Sequence, residues 1–150
     1  AFGAAKALVR EAEAKGPDVL PDAQVAIFSL EMSADQLATR LLAEASRVSG
    51  DRIRRGAIEQ REFDEFVRVS RELATLPMVI DDTPALSISA LRTRCQRLKR
   101  TKGLALVVVD YLQLMRPAPG TRTENRVLEI SMITQGLKAI AKELEVPVMA

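Results

Sequence analysis

Hydrophobic and polar residues follow one another along this chain in blocks that predict strands and helices in turn. Short uninterrupted apolar runs at 25–30 and 104–109 are typical of strands buried on both faces. Segments with apolar residues at helical spacing lie around them, at 1–15, 33–46, 59–76, 124–144 and from Ser87 onward. Shorter strands are predicted at 78–80 and 146–150. This alternation predicts an α/β fold, in which helices cover both faces of a parallel sheet through right-handed crossovers.

Capping and turn residues mark the ends of these elements. Ser33 and Gln36 form an S-x-x-Q capping box that opens the second helix. A Gly-Pro pair at 16–17 ends the first helix, and prolines end the helices that precede the two short strands. Asp81 and Asp82 close the strand at 78–80, and the chain then turns toward Ser87, a candidate helix cap.

Helical spacing also predicts which side chains face the core. The helix at 59–76 has Phe63, Phe66, Val67 and Leu73 on one face. In the helix from Ser87 the residues expected to face the core are Ile88, Leu91, Cys95 and Leu98, with the Arg and Lys residues on the other side. In the helix at 124–144 they are Val127, Ile130, Ile133, Leu137, Ile140 and Leu144. The segment 49–58 is short and basic, and the Pro/Gly/Thr-rich segment 116–126 is expected to form an exposed, mobile loop.

Composition narrows the class of protein. The length of 150 residues fits one domain, and 47% hydrophobic with 28% charged residues is typical of a globular protein. A net charge of +2 does not by itself indicate nucleic-acid binding, and the basic clusters at 52–55 and 92–102 are most simply solvated faces. One cysteine and no histidine exclude an internal disulfide and argue against zinc.

Neither a membrane segment nor a signal peptide is predicted. No apolar run approaches the roughly 20 residues that a membrane span needs, and no apolar segment with a basic flank opens the chain. The lone thiol fits a reducing cytoplasm, which is the expected location.

The helical pattern starts at the first residue and a core strand starts at the last ones, so we expect this chain to be a piece of a longer protein.

Two of the predicted buried strands are followed by an acid. Glu31 follows the run at 25–30, and Asp110 follows the run at 104–109. If the two strands are neighbours, their ends lie about 5 Å apart at the edge of the sheet where ligands bind. One carboxylate could then hold magnesium while the other accepts a proton from, or orients, a water that attacks a γ-phosphate. Asp110 as a plain cap of its strand is the alternative.

The phosphate cradle that would complete such a site is absent from the sequence. The usual cradle, G-x-x-x-x-G-K-[ST], does not occur, and no Gly-Lys-Ser/Thr is found anywhere in the 150 residues. From the residues alone, the chain therefore carries an incomplete nucleotide site.

Four segments make the chain resemble one family. They are FSLEM at 28–32 with the helix after it, VVVDYLQLM at 107–115, ENRVLEIS at 124–131 and LKAIAKELEVPVMA at 137–150. Together they resemble the ATPase domain of bacterial replicative DNA helicases of the DnaB family. The resemblance implies a RecA-like P-loop NTPase fold, truncated here so that it begins just after Walker A and ends before the segment that senses the γ-phosphate.

The same resemblance implies roles for individual residues. Glu31 would be the general base that activates water, and Asp110 the Walker B acid that acts on magnesium. Arg40 matches a family position near the nucleotide base, although a plain surface arginine is an equal alternative. Ala1 matches, together with Phe2, the residues just after the Gly-Lys-Thr of Walker A. The implied ligands are ATP and Mg²⁺.

Partners follow from the resemblance as well. Arg122, Asn125 and Arg126 fall where the family has a loop that faces single-stranded DNA, and arginine contacts to phosphate suit such a loop. A solvated loop is the alternative. The parent protein would be an ATP-driven homohexameric helicase that unwinds DNA at the replication fork and works with a primase and a helicase loader in the primosome, with no membrane partner.

Two other interpretations stay open. These residues, which as they stand are expected not to hydrolyse ATP, could belong to a non-catalytic RecA-like interaction module that has lost its phosphate loop. A RecA-type recombinase or clock ATPase would share the order of strands and helices, but this interpretation does not explain the sequence DYLQLM at 110–115.

Overall fold

A computed structural model describes residues 2–16, 21–116 and 125–150. Six helices and four strands lie in these ranges. The helices are α1 (Phe2–Lys15), α2 (Ala34–Ser46), α3 (Gly50–Arg55), α4 (Gln60–Thr75), α5 (Ile88–Lys102) and α6 (Arg126–Leu144). The strands are β1 (Gln24–Ser29), β2 (Met78–Asp81), β3 (Leu104–Asp110) and β4 (Val148–Met149), and a 3₁₀ turn covers Leu112–Leu114.

The four strands form one parallel sheet in the order β2-β1-β3-β4. The predicted parallel sheet is therefore confirmed, and the two strands that end near the acids are neighbours. Strand β1 is buried from Val25 to Ser29, as its apolar run predicts. In the register of β1 and β3, Ser29 lies beside Asp110, so the carboxyl ends of both strands meet at one edge.

Helices cover both faces of the sheet, but they bury one face more completely than the other. The larger core packs α5 and α6 against one face and centres on fully buried residues, among them Phe28, Leu91, Val107, Ile133 and Ile140. On the other face α1 packs over Val25 and Ile27, while Leu106 and Val108 of β3 stay partly exposed. Strand β3 is thus fully covered on one face only, in contrast to the predicted burial on both. Among the described helices, none is long and apolar enough to cross a membrane.

The helix ends follow their predicted caps. Ser33 accepts a hydrogen bond from the Gln36 amide at 3.3 Å and the Gln36 side chain accepts one from the Ser33 amide at 3.1 Å, which completes the capping box. Ser87 caps α5 through the Ala90 amide at 3.2 Å. Glu145, in the left-handed conformation, ends α6 two residues before Pro147, so the proline lies after the end of the helix.

The structure adds to or departs from the sequence analysis at three places. The basic segment 49–58 contains helix α3, which lacks an apolar stripe and packs beside α2. Phe63 is 49% exposed, while Val69, six residues further along α4 and about 120° away around the helix, is buried. Val127 is 76% exposed, since it lies in the first turn of α6, well ahead of the part that packs on the sheet through Ile133 and Leu137. Most of the predicted loop at 116–126 lies outside the described residues.

Candidate active site

The two acids singled out by the sequence lie at the same edge of the sheet. Asp110 is the last residue of β3 and is paired with Ser29 of β1. The Leu30 amide donates a hydrogen bond of 2.7 Å to the Asp110 carbonyl, which extends the contact between the two strands by one residue. Glu31 is the next residue, so the parallel pairing brings both acids to the carboxyl edge.

Both carboxylates are solvent-exposed and available. Within the described ranges, neither Glu31 nor Asp110 forms a hydrogen bond or an ion pair through its side chain. No group of three or more His, Cys, Asp or Glu side chains suited to hold a metal occurs there either. This arrangement fits magnesium, which takes one or two carboxylates and completes its shell with water and substrate phosphates. It does not fit a metal that needs a cage of protein ligands.

The backbone on either side of Glu31 is fixed by hydrogen bonds. Ser29 is 1% exposed and its hydroxyl donates to the Met32 carbonyl at 2.8 Å. Beyond Met32, the capping box fixes Ser33, and the Ala34 amide donates to Asp82 Oδ2 at 2.9 Å. The segment that carries Glu31 is thus held at both ends, while the Glu31 side chain stays free.

Asp82 comes from the end of the neighbouring strand, and the turn that carries it is itself anchored. Its neighbour Asp81 forms an ion pair with Arg94 of α5 and accepts a hydrogen bond of 3.1 Å from the Thr83 amide. Arg94 also donates to Thr83 Oγ1 at 2.7 Å. Burial alone would raise the pKa of the Asp81 carboxyl, but the hydrogen bonds from Thr83 and Arg94 outweigh it and lower that pKa. Asp81 is therefore kept charged beside Arg94.

Sequence reasoning assigned no role to Ser29, Asp82 or Arg94. The signal for the Asp82 contact was present, because two consecutive acids close β2 and β2 is the other neighbour of β1. Arg94 was expected on a solvated face together with Arg92. Both are half-buried instead, and Arg92 Nε lies 3.3 Å from Glu143 Oε2 of α6.

Arg40 lies close to the Glu31 segment. It is exposed on α2, and its Nη1 donates to the sulfur of Met32 at 3.9 Å. Both residues line an open cavity of 710 Å³ between α2 and α3, together with Gln36, Thr39 and Asp51. Arg40 therefore shares a cavity wall with the residue that follows Glu31.

The residues proposed for DNA contact are only partly described. Arg122 lies outside the described residues, as does Ala1, which was predicted to follow Walker A and not to contact DNA. Asn125 caps α6, where its side-chain oxygen accepts from the Val127 amide at 3.0 Å. Arg126 Nη1 pairs with Glu129 Oε2 at 2.8 Å, and its Nη2 donates to the Gln113 carbonyl just after Asp110. Both described residues thus have contacts within the chain, and the Arg126 side chain remains 53% exposed.

Comparison with known proteins gives one consistent family. The family described as the DnaB-like helicase C terminal domain matches residues 5–150. The replicative DNA helicase DnaB of Rickettsia felis is 50% identical over 126 residues, which cover 84% of this chain and 25% of that protein. The protein of the same name from Geobacillus stearothermophilus is 43% identical over 126 residues, covering 84% of this chain and 28% of that protein. The chain thus spans about a quarter of the length of these relatives.

Solved structures agree with the fold. One of them, described as an ATPase domain, has a TM-score of 0.78 at 26% identity, and the match covers 98% of this chain and 50% of that one. A DnaB-like replicative helicase, described with its interactions with primase, has a TM-score of 0.77 at 28% identity, and the match covers 86% of this chain and 31% of that one. The predicted RecA-like fold is confirmed by these neighbours.

Proposed function

This chain belongs to the family of DnaB-like helicase C-terminal domains, and from that premise we propose that it is part of the motor of a replicative DNA helicase. In this proposal the parent protein couples ATP hydrolysis to the unwinding of duplex DNA at the replication fork. The observation that supports it most directly is the pairing of Ser29 with Asp110, which sets Glu31 and Asp110 at one edge of a parallel sheet.

Glu31 acts as the general base in this proposal. Its carboxylate is exposed and has no partner among the described residues, so it is free to accept a proton from the attacking water. The fixed backbone around it, from Ser29 to Ala34, holds the Glu31 backbone in place, so that only its side chain must be ordered for catalysis.

Asp110 holds magnesium in this proposal. Asp110 would hold the magnesium ion that accompanies ATP, and the bound ion would supply positive charge next to the phosphates. The exposed carboxylate at the end of β3 supports this role, because it leaves room for water and phosphate around the ion. Arg40, beside Met32 at the cavity of 710 Å³, is proposed to contact the nucleotide near its base.

The remaining roles rest on the family alone. Ala1 is proposed to follow directly on the phosphate loop. Arg122, Asn125 and Arg126 are proposed to lie next to single-stranded DNA in the channel of a homohexamer. A primase is a proposed partner, since a related helicase is described with its primase interactions, and a helicase loader is proposed with it. Because the sequence contains no Gly-Lys-Ser/Thr, the 150 residues alone are proposed not to hydrolyse ATP.

The test is Glu31→Gln in the full-length protein that carries this chain. We expect the variant to lose ATP hydrolysis by roughly a hundredfold or more, as general bases typically contribute 10²–10⁴-fold. Binding of a slowly hydrolysed ATP analogue should stay near wild type, because the carboxylate acts in the chemical step. Exposed Glu13 of α1 has no side-chain partner among the described residues, so Glu13→Gln is the matched control.

Two outcomes would argue against the proposal. Unchanged turnover in Glu31→Gln would exclude Glu31 as the base. Failure of the wild-type full-length protein to bind the analogue at all would favour the non-catalytic interaction module.

A further inference from the structure

We infer that Asp82, together with Ser29, is a positioning residue that fixes the catalytic segment carrying Glu31. The inference rests on the proposed function, in which Glu31 is the base. It starts from the hydrogen bond between the Ala34 amide and Asp82 Oδ2, which joins residues 48 positions apart in sequence.

This contact supplies an acceptor at the N-terminus of α2. The first amides of a helix have no acceptor within the helix. The capping box accepts from Gln36 and satisfies the amide of Ser33, but it leaves the Ala34 amide without a partner. Asp82 supplies that acceptor from another strand, and its negative charge is favourable beside the positive end of the helix dipole. The start of α2 is therefore tied to the end of β2.

Ser29 ties the same segment from its other side. It is buried at the end of β1, and its hydroxyl reaches forward to the Met32 carbonyl at 2.8 Å. The Leu30 amide is fixed to the Asp110 carbonyl at 2.7 Å. Glu31 thus lies between one residue held by β3 and another held by Ser29, and the helix that follows is held by β2.

The turn that carries Asp82 is held by contacts of its own, so Asp82 can fix the position of the Ala34 amide. Asp81, one residue earlier, is locked to Arg94 of α5 and to the Thr83 amide. The turn after β2 therefore cannot shift without breaking an ion pair as well. Loss of the Asp82 carboxylate would leave α2 free to shift at its first turn, and the Glu31 carboxylate would shift with it.

The experiment measures ATP hydrolysis and nucleotide binding in the full-length protein. A displacement of about 1 Å in a catalytic group can cost up to a hundredfold in rate, so we expect Asp82→Ala to lower kcat by roughly tenfold. Binding of a slowly hydrolysed ATP analogue should change by less than about twofold, because the shift is at the first turn of α2, ahead of Arg40, and the segment carries the base and not the phosphate cradle. Asp82→Asn, which keeps an oxygen acceptor, should recover most of the loss.

Three further variants separate a positioning role from a general loss of structure. Asp22 is exposed and makes no side-chain contact with described residues, so Asp22→Asn controls for charge and should have wild-type kcat. In a Glu31→Gln background, Asp82→Ala should lower the residual rate by less than about twofold, since residues that act through one group are not additive. Ser29→Ala should lower kcat in the same direction as Asp82→Ala.

The results that would overturn the inference differ from those that would overturn the proposed function. A kcat in Asp82→Ala equal to that of Asp22→Asn overturns the inference, and so does a full additional loss in the Glu31→Gln background. If Asp82→Ala does not fold, Ser29→Ala decides, and wild-type kcat there overturns it. Wild-type turnover in Glu31→Gln alone would instead overturn the proposed function.

Discussion

Gly103 joins α5 to β3, the strand that ends at Asp110, and its replacement by alanine tests how tightly that strand is placed. The residue has φ +72° and ψ 157°, a conformation that is essentially restricted to glycine. An added Cβ would overlap the carbonyl oxygen of Asp22 and would lie 2.9 Å from the Cα of Ala23. Both obstacles are backbone atoms, so no flexible side chain can move aside to admit the methyl group.

The loss in free energy of unfolding can be estimated from the backbone strain and the steric overlap, less an effect on the unfolded chain. The backbone conformation contributes about 1–3 kcal/mol of strain, and the overpacking contributes about 1–3 kcal/mol more. Alanine also restricts the unfolded chain, which returns about 0.4–1 kcal/mol. We therefore expect Gly103→Ala to lower the free energy of unfolding by about 2–5 kcal/mol, a large part of the 5–15 kcal/mol typical of a domain.

Two other glycines separate strain from overlap. Gly56 ends α3 with φ +65° and open space around its Cβ position, so Gly56→Ala should cost only the about 1–2 kcal/mol of the left-handed conformation. Gly3 lies in α1, also with open space, and Gly3→Ala should be neutral or stabilise the domain by up to about 1 kcal/mol.

Urea unfolding of the complete helicase domain that contains this chain, followed by circular dichroism, gives the free energy of each variant. The expected order of stability is Gly3→Ala, then Gly56→Ala, then Gly103→Ala. A Gly103→Ala variant as stable as Gly56→Ala would refute the close approach of residues 22–23 to the start of β3. The junction would then not determine where Asp110 lies.

Three further predictions concern single side chains. Asp110→Ala should weaken magnesium-dependent binding of a fluorescent ATP analogue by roughly tenfold and leave binding in EDTA unchanged, and equal affinity with magnesium would contradict the proposed role. Burial, with a smaller effect from the Asp81 charge, raises the pKa of the Cys95 thiol from 9.0 to about 12, so the native thiol should react with an aromatic disulfide only as fast as the protein unfolds; rapid native labelling would contradict this. The pKa of Asp81 is lowered from 3.8, so its ion pair should stabilise the fold above the unfolded pKa and lose that effect as the pH falls through the folded value. The stability difference between wild type and Asp81→Asn, measured by urea unfolding, should therefore shrink below about pH 4, whereas a constant difference would refute the pairing.

The order of strands and helices was predictable because burial leaves a direct trace in the sequence. The runs at 25–30 and 104–109 are apolar since β1 and β3 lie at the centre of the sheet, between β2 and β4. Helix α3 left no such trace. It has six residues and begins at Gly50, and its sequence shows no apolar residues at helical spacing. The signal that could have found it is Gly56, which ends the helix in the left-handed conformation after a basic turn.

The ends of a parallel sheet were predictable for a different reason. Once the strands are known to be parallel, their carboxyl ends share an edge, and the acids at positions 31 and 110 can be brought together without any knowledge of side-chain contacts. The contacts themselves are not visible in the sequence. Arg94 belongs to a run of basic residues that helical spacing assigns to solvent, yet it pairs with Asp81 because β2 ends beside the first turns of α5.

Arg126 shows why charge alone does not identify a DNA-binding residue. In the sequence it is a basic residue at the end of a polar loop, which suits phosphate contact. In the fold its guanidinium pairs with Glu129 and donates to the carbonyl of Gln113, three residues after Asp110. These contacts use two of the five N–H donors of the guanidinium, and the side chain is 53% exposed, so the remaining donors can reach a phosphate while the link between α6 and the turn after Asp110 is kept. The hydrogen bond to Gln113 fixes the guanidinium beside the turn that follows Asp110, and this placement could not be predicted from the charge of Arg126.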